Sequence, residues 1–338
     1  MNLKVVTPLS NMDNYIPLVE AGADEFFCGI LPFEWLDKYN VTMPLNRREY
    51  LLDNCNICTM SSVRILKKMI ETYKVNVKVT LNSLYYIKEQ YPLILNLIKM
   101  LQDCGINTFI IADVALVCYL REKNIDCNIH LSGECGALNH YTLDFFEPLN
   151  IERFIFPGKE SIDNIRTSIE QFKTGEKKEF ESFILNDWCM FLGAFCNTVH
   201  CDEIPHSCHL PTKTVRIDKN STKYKDIYHV LKLRNQLASK TNIVDKRSYY
   251  NLSKRRADTY NFAEKGCGIC KMHKLMRCGI THIKLVGRGH NLDMVKRDLE
   301  FLKKGIDIMN TASNSEEFEE KIKLNIFNNK CPTTCFYN

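Results

Sequence analysis

Leu3-Lys-Val-Val-Thr7, Tyr15-Ile-Pro-Leu-Val-Glu-Ala21-Gly22 and Asp24-Glu-Phe-Phe-Cys-Gly29 follow one another at the start of the chain. The first and third are short β-rich runs. Between them lies a stretch with apolar residues at helical spacing, closed by a glycine of the kind that ends helices. The unit then repeats. Further candidate strands are Val77–Asn82, Thr108–Asp113, Asn128–Ser132, Arg153–Pro157, Ser182–Asn186 and His282–Gly287. Helical spacing recurs over Ser62–Tyr73, Tyr91–Cys104 and Ile162–Phe172. Strand–helix alternation predicts a parallel sheet. Eight strands fit a closed TIM-like (β/α)8 barrel, an α/β fold, against the rival of an open doubly wound sheet.

One interval breaks the rhythm. The seventh and eighth candidate strands are separated by residues 187–281, far more than one barrel helix needs. The expected organisation is therefore a barrel over 1–186 and 267–310, a Cys-rich basic insertion over 187–266, and a C-terminal helix with a Cys-containing tail over 311–338. Within the insertion, residues 211–265 hold 14 Lys and Arg against 5 Asp and Glu. That local excess of +9, interleaved with Tyr224, Tyr228, Tyr249, Tyr250, Tyr260 and Phe262, leaves two readings, a solvated charged face of the usual kind or a docking surface for RNA or another polyanion.

The chain of 338 residues is 45% hydrophobic and 25% charged, enough to bury a large core without staples. It shows no apolar run of the roughly 18–20 residues that span a membrane, and Met-Asn-Leu-Lys-Val-Val lacks the regions of a signal peptide. A cytoplasmic location is expected, where thiols stay reduced and clustered cysteines indicate metal or redox chemistry. Six of the 16 cysteines cluster in this way: Cys189, Cys196, Cys201 and Cys208, then Cys267 and Cys270. Cys189 directly follows the seventh strand, so it belongs at the C-terminal mouth of a barrel, where active sites of this fold are built. Cys267 and Cys270 open the segment leading into the eighth strand and should converge there, with thiol pKa values lowered by a helix N-terminus and basic surroundings. Soft thiolates select zinc, copper(I) or iron–sulfur clusters. Zinc remains the rival, but the irregular spacing of Cys189 and Cys196 is commoner around clusters. Cys104, Cys118 and Cys127 read as buried small hydrophobes.

Arg288 and His290, after the eighth strand, are candidates to hold a carboxylate or phosphate. Asn82, Asp113 and Ser132 stand at strand ends facing the same mouth, as substrate contacts or as caps of the next helices. Glu134 and His140 read as surface residues, and His130 as a core or lumen residue. H-E-x-x-H and G-x-S-x-G, the signatures of common hydrolases, do not occur.

Val5-Val-Thr-Pro-Leu-Ser-Asn11, Glu20-Ala-Gly-Ala-Asp-Glu-Phe-Phe-Cys-Gly29, Val79-Thr-Leu-Asn82 and Ile129-His-Leu-Ser132 with Asn139 resemble successive strand ends of peptidase family U32, the collagenase-like peptidases. Cys267, twelve residues before Gly279, and Ile283-Lys-Leu-Val-Gly-Arg288 fit the family's later signature. Cys189 and Cys196 match its first cysteine pair, and Cys208 stands at its third. The resemblance implies a TIM-like barrel with a 4Fe–4S cluster on Cys189, Cys196, Cys208 and Cys267, with Cys201 and Cys270 as substitutes. It further implies oxygen-independent oxidation or hydroxylation of RNA or a small anionic molecule, prephenate as an oxygen donor in some members, and a family paralogue or electron donor as partner. A peptide-directed enzyme (peptidase or maturase) and a non-catalytic iron–sulfur scaffold are the alternatives. The chain departs from the family in its extra Cys270, in Gly158 where many relatives place Arg, and in the ending Cys331-Pro-Thr-Thr-Cys335.

Overall fold

The computed structural model describes residues 3–39, 43–47, 55–189, 262–263, 266–331 and 334–337. Among these residues nine strands form one all-parallel sheet: β1 (Lys4–Pro8), β2 (Glu25–Ile30), β3 (Asn56–Ile57), β4 (Asn76–Leu81), β5 (Thr108–Ile111), β6 (Asn128–Leu131), β7 (Ile151–Ile155), β8 (Glu179–Leu185) and β9 (His282–Leu285). β1 pairs with both β2 and β9, in registers Val6↔Glu25 and Val6↔Lys284, which closes eight staves into the expected barrel. The sequence reading did not foresee β3. Among the described residues it pairs with the end of β2 alone, Gly29↔Asn56, and two residues are too short for any periodicity.

Local chemistry starts the helices that return each strand. Thr59, Asp113, Asn139, Ser161, Asn291 and Asn314 each accept a backbone N–H of the following first turn. The apolar stripes of these helices and the outward-facing strand residues form the main core. Phe318 and Ile322 of the C-terminal helix Ser315–Phe327 belong to that same core. No helix among the described residues is long and apolar enough to cross a membrane.

The lumen is layered. Toward the N-terminal ends of the strands Arg153, 1% exposed, is a hub. It donates to Glu25 (2.9 and 3.2 Å), Glu179 (2.9 and 2.6 Å) and Glu181 (2.9 Å), and lies 2.8 Å from His282 Nε2. Glu181 is shared with Lys284 at 2.7 Å. Burial would raise the Glu25 and Glu181 pKa values, but His282, Arg153, Lys78 and Lys284 outweigh it and hold both carboxyls below their ordinary range. His130, expected in the core or the lumen, is buried in the lumen with Nε2 3.1 Å from Glu152. Above these charges Val6, Phe27, Ile110, Ile155 and Phe183 form an apolar layer. The buried acids also explain why β8 begins three residues before the sequence reading placed it: Glu179 and Glu181 face inward and interrupt the apolar run.

Residues 190–261 run between β8 and β9, the seventh and eighth staves of the barrel, and fall outside the described residues. Cys196, Cys201, Cys208 and most of the basic tract lie there.

Candidate active site

A cavity of about 180 Å³ opens at the C-terminal ends of the strands, the end at which enzymes of this architecture place their chemistry. Its floor is the apolar layer, through Phe27, Ile110, Ile155 and Phe183. Four cationic side chains line it, Arg47, Lys159, Lys284 and Arg288, against two carboxylates, Glu134 and Asp187. Lys284 lies 4.1 Å from the centre of the Phe27 ring. Burial lowers the Lys284 pKa, while Glu181 beneath it opposes the shift.

Arg288 lines the cavity as expected, but it is not a solvated grip. It is 4% exposed and donates to Thr80 Oγ1 at 3.1 Å and Asn46 Oδ1 at 3.0 Å. Asn46 in turn donates to Asn56 Oδ1 at 3.0 Å. The short β3 therefore holds Asn56, which orients Asn46, which orients Arg288. The guanidinium also passes against the face of Gly29, where a Cβ would collide with both Arg288 and Asn56. The glycine ending the second-strand motif is a clearance for this arginine.

The other expected residues divide. Asn82 lines the cavity, and its Oδ1 accepts from the Arg47 backbone at 3.3 Å. Ser132 lines it while capping the turn at Glu134. Asp113 takes the second of its two expected roles, that of a cap. One oxygen caps the helix Val114–Glu122 through Ala115, the other accepts from the Tyr86 backbone at 2.9 Å and the Tyr91 hydroxyl at 3.0 Å, and Asp113 is absent from the cavity wall. His290 is corrected in part: its Nε2 lies 3.3 Å from Asp187 Oδ1, so it backs a cavity residue without lining the cavity. Glu134, read as surface, lines the cavity and pairs with Arg47 at 3.5 Å. Cys118 is exposed, whereas Cys104 and Cys127 are buried as expected.

Arg47, Lys159, Asp187 and Lys284 had no place in the sequence reading. Lys284 carried a usable signal, a charge in the middle of Ile283-Lys-Leu285 where an inward position must be paired. Asp187 owes its place to the backbone: Asn186 and Asp187 both take left-handed conformations, φ 69° and 48°, and turn the chain out of β8. Asn186 is fixed there by a 2.6 Å bond to Asp298 and by donating its N–H to Gly266 O at 2.9 Å.

That last bond also brings the cysteine segments together. Leu185 bridges Cys267 in antiparallel fashion, so the stem of Cys189 runs beside Cys267. Cys189 is exposed and lines the cavity, whereas Cys267 and Cys270 are buried behind the wall. Their pKa values are not lowered. Burial pushes both thiols up, Cys270 to about 11, and overrides the helix beginning only at Met272. Thiols are the donor type that a thiolate-bound metal or cluster takes, and such a group would itself drive their deprotonation; among the described residues, which include Cys189, Cys267 and Cys270 but not Cys196, Cys201 or Cys208, no three metal-ligating side chains are gathered to hold an ion.

The tail supplies the rest of the wall. Phe336 lines the cavity and packs on Gly158, where a Cβ would stand 3.2 Å from its ring, and on Gly266, where a Cβ would stand 2.9 Å away. Tyr337 meets Ser182 Oγ at 2.7 Å and also donates to Phe183 O. Gly158 and the unusual tail are thus one feature: the glycine leaves the room that Phe336 occupies.

The chain is similar in fold to several solved structures, each at low identity. The U32 peptidase Mk0906 shares 13% identity over 54% of this chain and 69% of its own, with a TM-score of 0.40. Thiamine phosphate pyrophosphorylase from Pyrococcus furiosus shares 9% over 91% of this chain and 96% of its own (TM-score 0.43). The 4-hydroxy-tetrahydrodipicolinate synthase of Methylacidiphilum fumariolicum SolV shares 8% over 95% and 78% (TM-score 0.45). No curated protein matches the sequence. The sequence model of peptidase family U32 matches residues 10–338, nearly the whole barrel and its tail, and the chain belongs to that family.

Proposed function

We propose that the mouth cavity is the active site of an iron–sulfur enzyme that oxidises or hydroxylates an anionic substrate without oxygen. The observation that carries the reading is the cavity wall itself: four cationic side chains against two carboxylates, with the Cys189 thiol among them. Cys189 with Cys196, Cys208 and Cys267 would hold the cluster, Cys201 and Cys270 being substitutes. When bound, such a cluster supplies one-electron redox chemistry.

The residues of this chain do the rest. Arg47 and Lys159, toward the rim, attract an anion, and the guanidinium plane of Arg288 faces it from below. Asn82 and Ser132 offer hydrogen bonds at the wall. Phe27, Ile110, Ile155 and Phe183 exclude water beneath the substrate, which strengthens each charge above them. The preference for an anion covers both a small carboxylate, such as prephenate in the role of oxygen donor, and an RNA phosphate. The +9 excess of residues 211–265 favours RNA as the larger partner.

The peptidase reading is the weaker one. Among the described residues no histidine lines the cavity to serve a Ser132 or Cys189 nucleophile, since His290 lies behind Asp187. The test is anaerobic purification with absorption spectroscopy and iron and sulfide analysis. The protein should be brown, Cys189→Ala should lose the iron, and Cys104→Ala should keep it. Colourless anaerobic protein that takes up no iron on reconstitution would sink the proposal.

A further inference from the structure

Along β9 and the residues after it, every second side chain turns into the barrel: His282 into the charged layer, then Lys284, Val286 and Arg288 into the cavity. β2 does the same, with Glu25 in the charged layer, Phe27 in the apolar one and Gly29 at the clearance for Arg288. Lys284 lies against Phe27 and Arg288 against Gly29. The amine and the guanidinium therefore stand at levels two residues apart, a rise of about 7 Å, with the amine the deeper of the two.

Lys284 differs from the other lysines of the barrel. Lys159 is half-buried and reaches over the Trp188 ring at 5.3 Å. Lys78, paired with Glu25 at 3.7 Å, does not reach the cavity wall among the described residues. Lys284 is buried, yet it lines the cavity. It donates to Glu181 Oε1 at 2.7 Å, while the other Glu181 oxygen accepts from Arg153 at 2.9 Å. Arg153 thus anchors the carboxylate from below, whichever form the amine takes. Burial lowers the Lys284 pKa; Glu181 opposes the shift, and the Arg153 and Arg288 charges add to it. An amine in apolar surroundings beside other cations is the setting in which lysine becomes a nucleophile toward carbonyl carbon.

We propose that Lys284 captures the carbonyl carbon of a 2-oxo acid as an imine, with the substrate's carboxylate held by Arg288 above it. The Lys284 ammonium lends one proton to Glu181, its nitrogen bonds to the carbonyl carbon, and the carbonyl oxygen leaves as water with the other two nitrogen protons. The proton on Glu181 then returns to the nitrogen. The product is an iminium with the charge of the original ammonium, so it keeps both the Glu181 pair and the face of the Phe27 ring. Phe27, Ile110, Ile155 and Phe183 exclude the water that would hydrolyse it. An iminium draws electrons from the neighbouring carbons, which activates the substrate without any cluster. The inference goes beyond the iron–sulfur reading and stands without it.

The test incubates the full chain, purified anaerobically, with pyruvate or phenylpyruvate and sodium cyanoborohydride, followed by intact mass and peptide mapping. A reduced adduct should form saturably and map to Lys284, ahead of the surface lysines. Acetone has the carbonyl but no carboxylate for Arg288, and should need a concentration about tenfold higher or more. Lys284→Arg keeps the positive charge beside Glu181 and should abolish the adduct while melting close to the wild type; should that variant not fold, the wild-type map decides. No adduct with either acid, adducts spread over surface lysines, or an adduct on Lys159 instead overturns the proposal. Acetone trapped as readily as pyruvate overturns the grip by Arg288. Iron is measured on the same samples. Colourless protein labelled at Lys284 defeats the iron–sulfur reading alone, and brown protein not labelled there defeats the imine alone.

Discussion

Arg288 is where binding and folding meet in one side chain. Its bonds to Thr80 and Asn46, and the clearance at Gly29, hold the guanidinium in one orientation below the cavity. Lysine keeps the charge but cannot serve both acceptors from a rigid plane. Arg288→Lys should therefore cost about 1–3 kcal/mol of stability, the scale of a lost bond to a charged group, and weaken substrate binding as well. Gly29→Ala should reproduce the binding defect without touching the arginine, because the methyl displaces it. Urea denaturation and substrate titration of both variants check this. Full binding by Gly29→Ala would show that the orientation of Arg288 is irrelevant to substrate.

The C-terminal tail is a minor element by length, yet it forms part of the active-site wall. Phe336 fills the space over Gly158, so a long side chain at that position and the Phe336 ring cannot coexist in their present positions. Gly158→Arg should expel Phe336 and break the ladder that the tail makes with Cys267. Hydrogen exchange at the amides of Cys267 and Phe336 should rise by orders of magnitude, while amides within β5 and β6 stay protected. Unchanged exchange at those two amides would mean that the tail is held independently of the glycine. Phe336→Ala should cost about 3 kcal/mol by leaving a cavity against Phe183 and Gly266.

For the whole molecule, the barrel is closed around charge as well as around hydrocarbon. A lumen filled with Arg153 and three glutamates is stable only because each charge is paired, and removing the hub takes the shared partner from Glu25, Glu179 and Glu181, leaving Glu181 with Lys284 and Glu25 with Lys78 and His282. Arg153→Met should cost about 3–5 kcal/mol or more. Acid should act in two stages. Burial first, then the nearby Arg153 and Lys78 charges, push the His130 pKa well below its ordinary 6.5, so below that pH the unfolded chain binds a proton that the folded one excludes. The stability present above pH 6.5 is then lost by up to about 1.4 kcal/mol per pH unit. Glu25 and Glu181, held below their ordinary 4.5, add a second loss as the pH falls below that value. Glu152, raised by burial, works in the opposite sense and softens the first stage. Denaturation midpoints between pH 7 and 5 should fall in the wild type and fall less in His130→Gln. A flat midpoint over that interval would refute the first stage.

Strand and helix order, the closed barrel they imply and the family were all legible in the chain, because period-two and helical spacing are local properties that a glycine or a capping residue punctuates within a few positions. So was the placement of Cys189, Asn82, Ser132 and Arg288 at the mouth, since a strand end is read directly from where its apolar run stops. What surrounds those residues was not legible. Asp113 looked the same in sequence as Ser132, and only the bonds from Tyr86 and Tyr91 turned it into a strut. Gly158 and Phe336 lie far apart in the chain, as do Cys267 and Cys335, and so do the Arg288, Asn46 and Asn56 that orient one another. Their relations arise when the barrel closes and the tail returns to it. Contacts made across the closed sheet have no period in the sequence, so tertiary structure alone decided which side chains line the cavity and which merely hold it open.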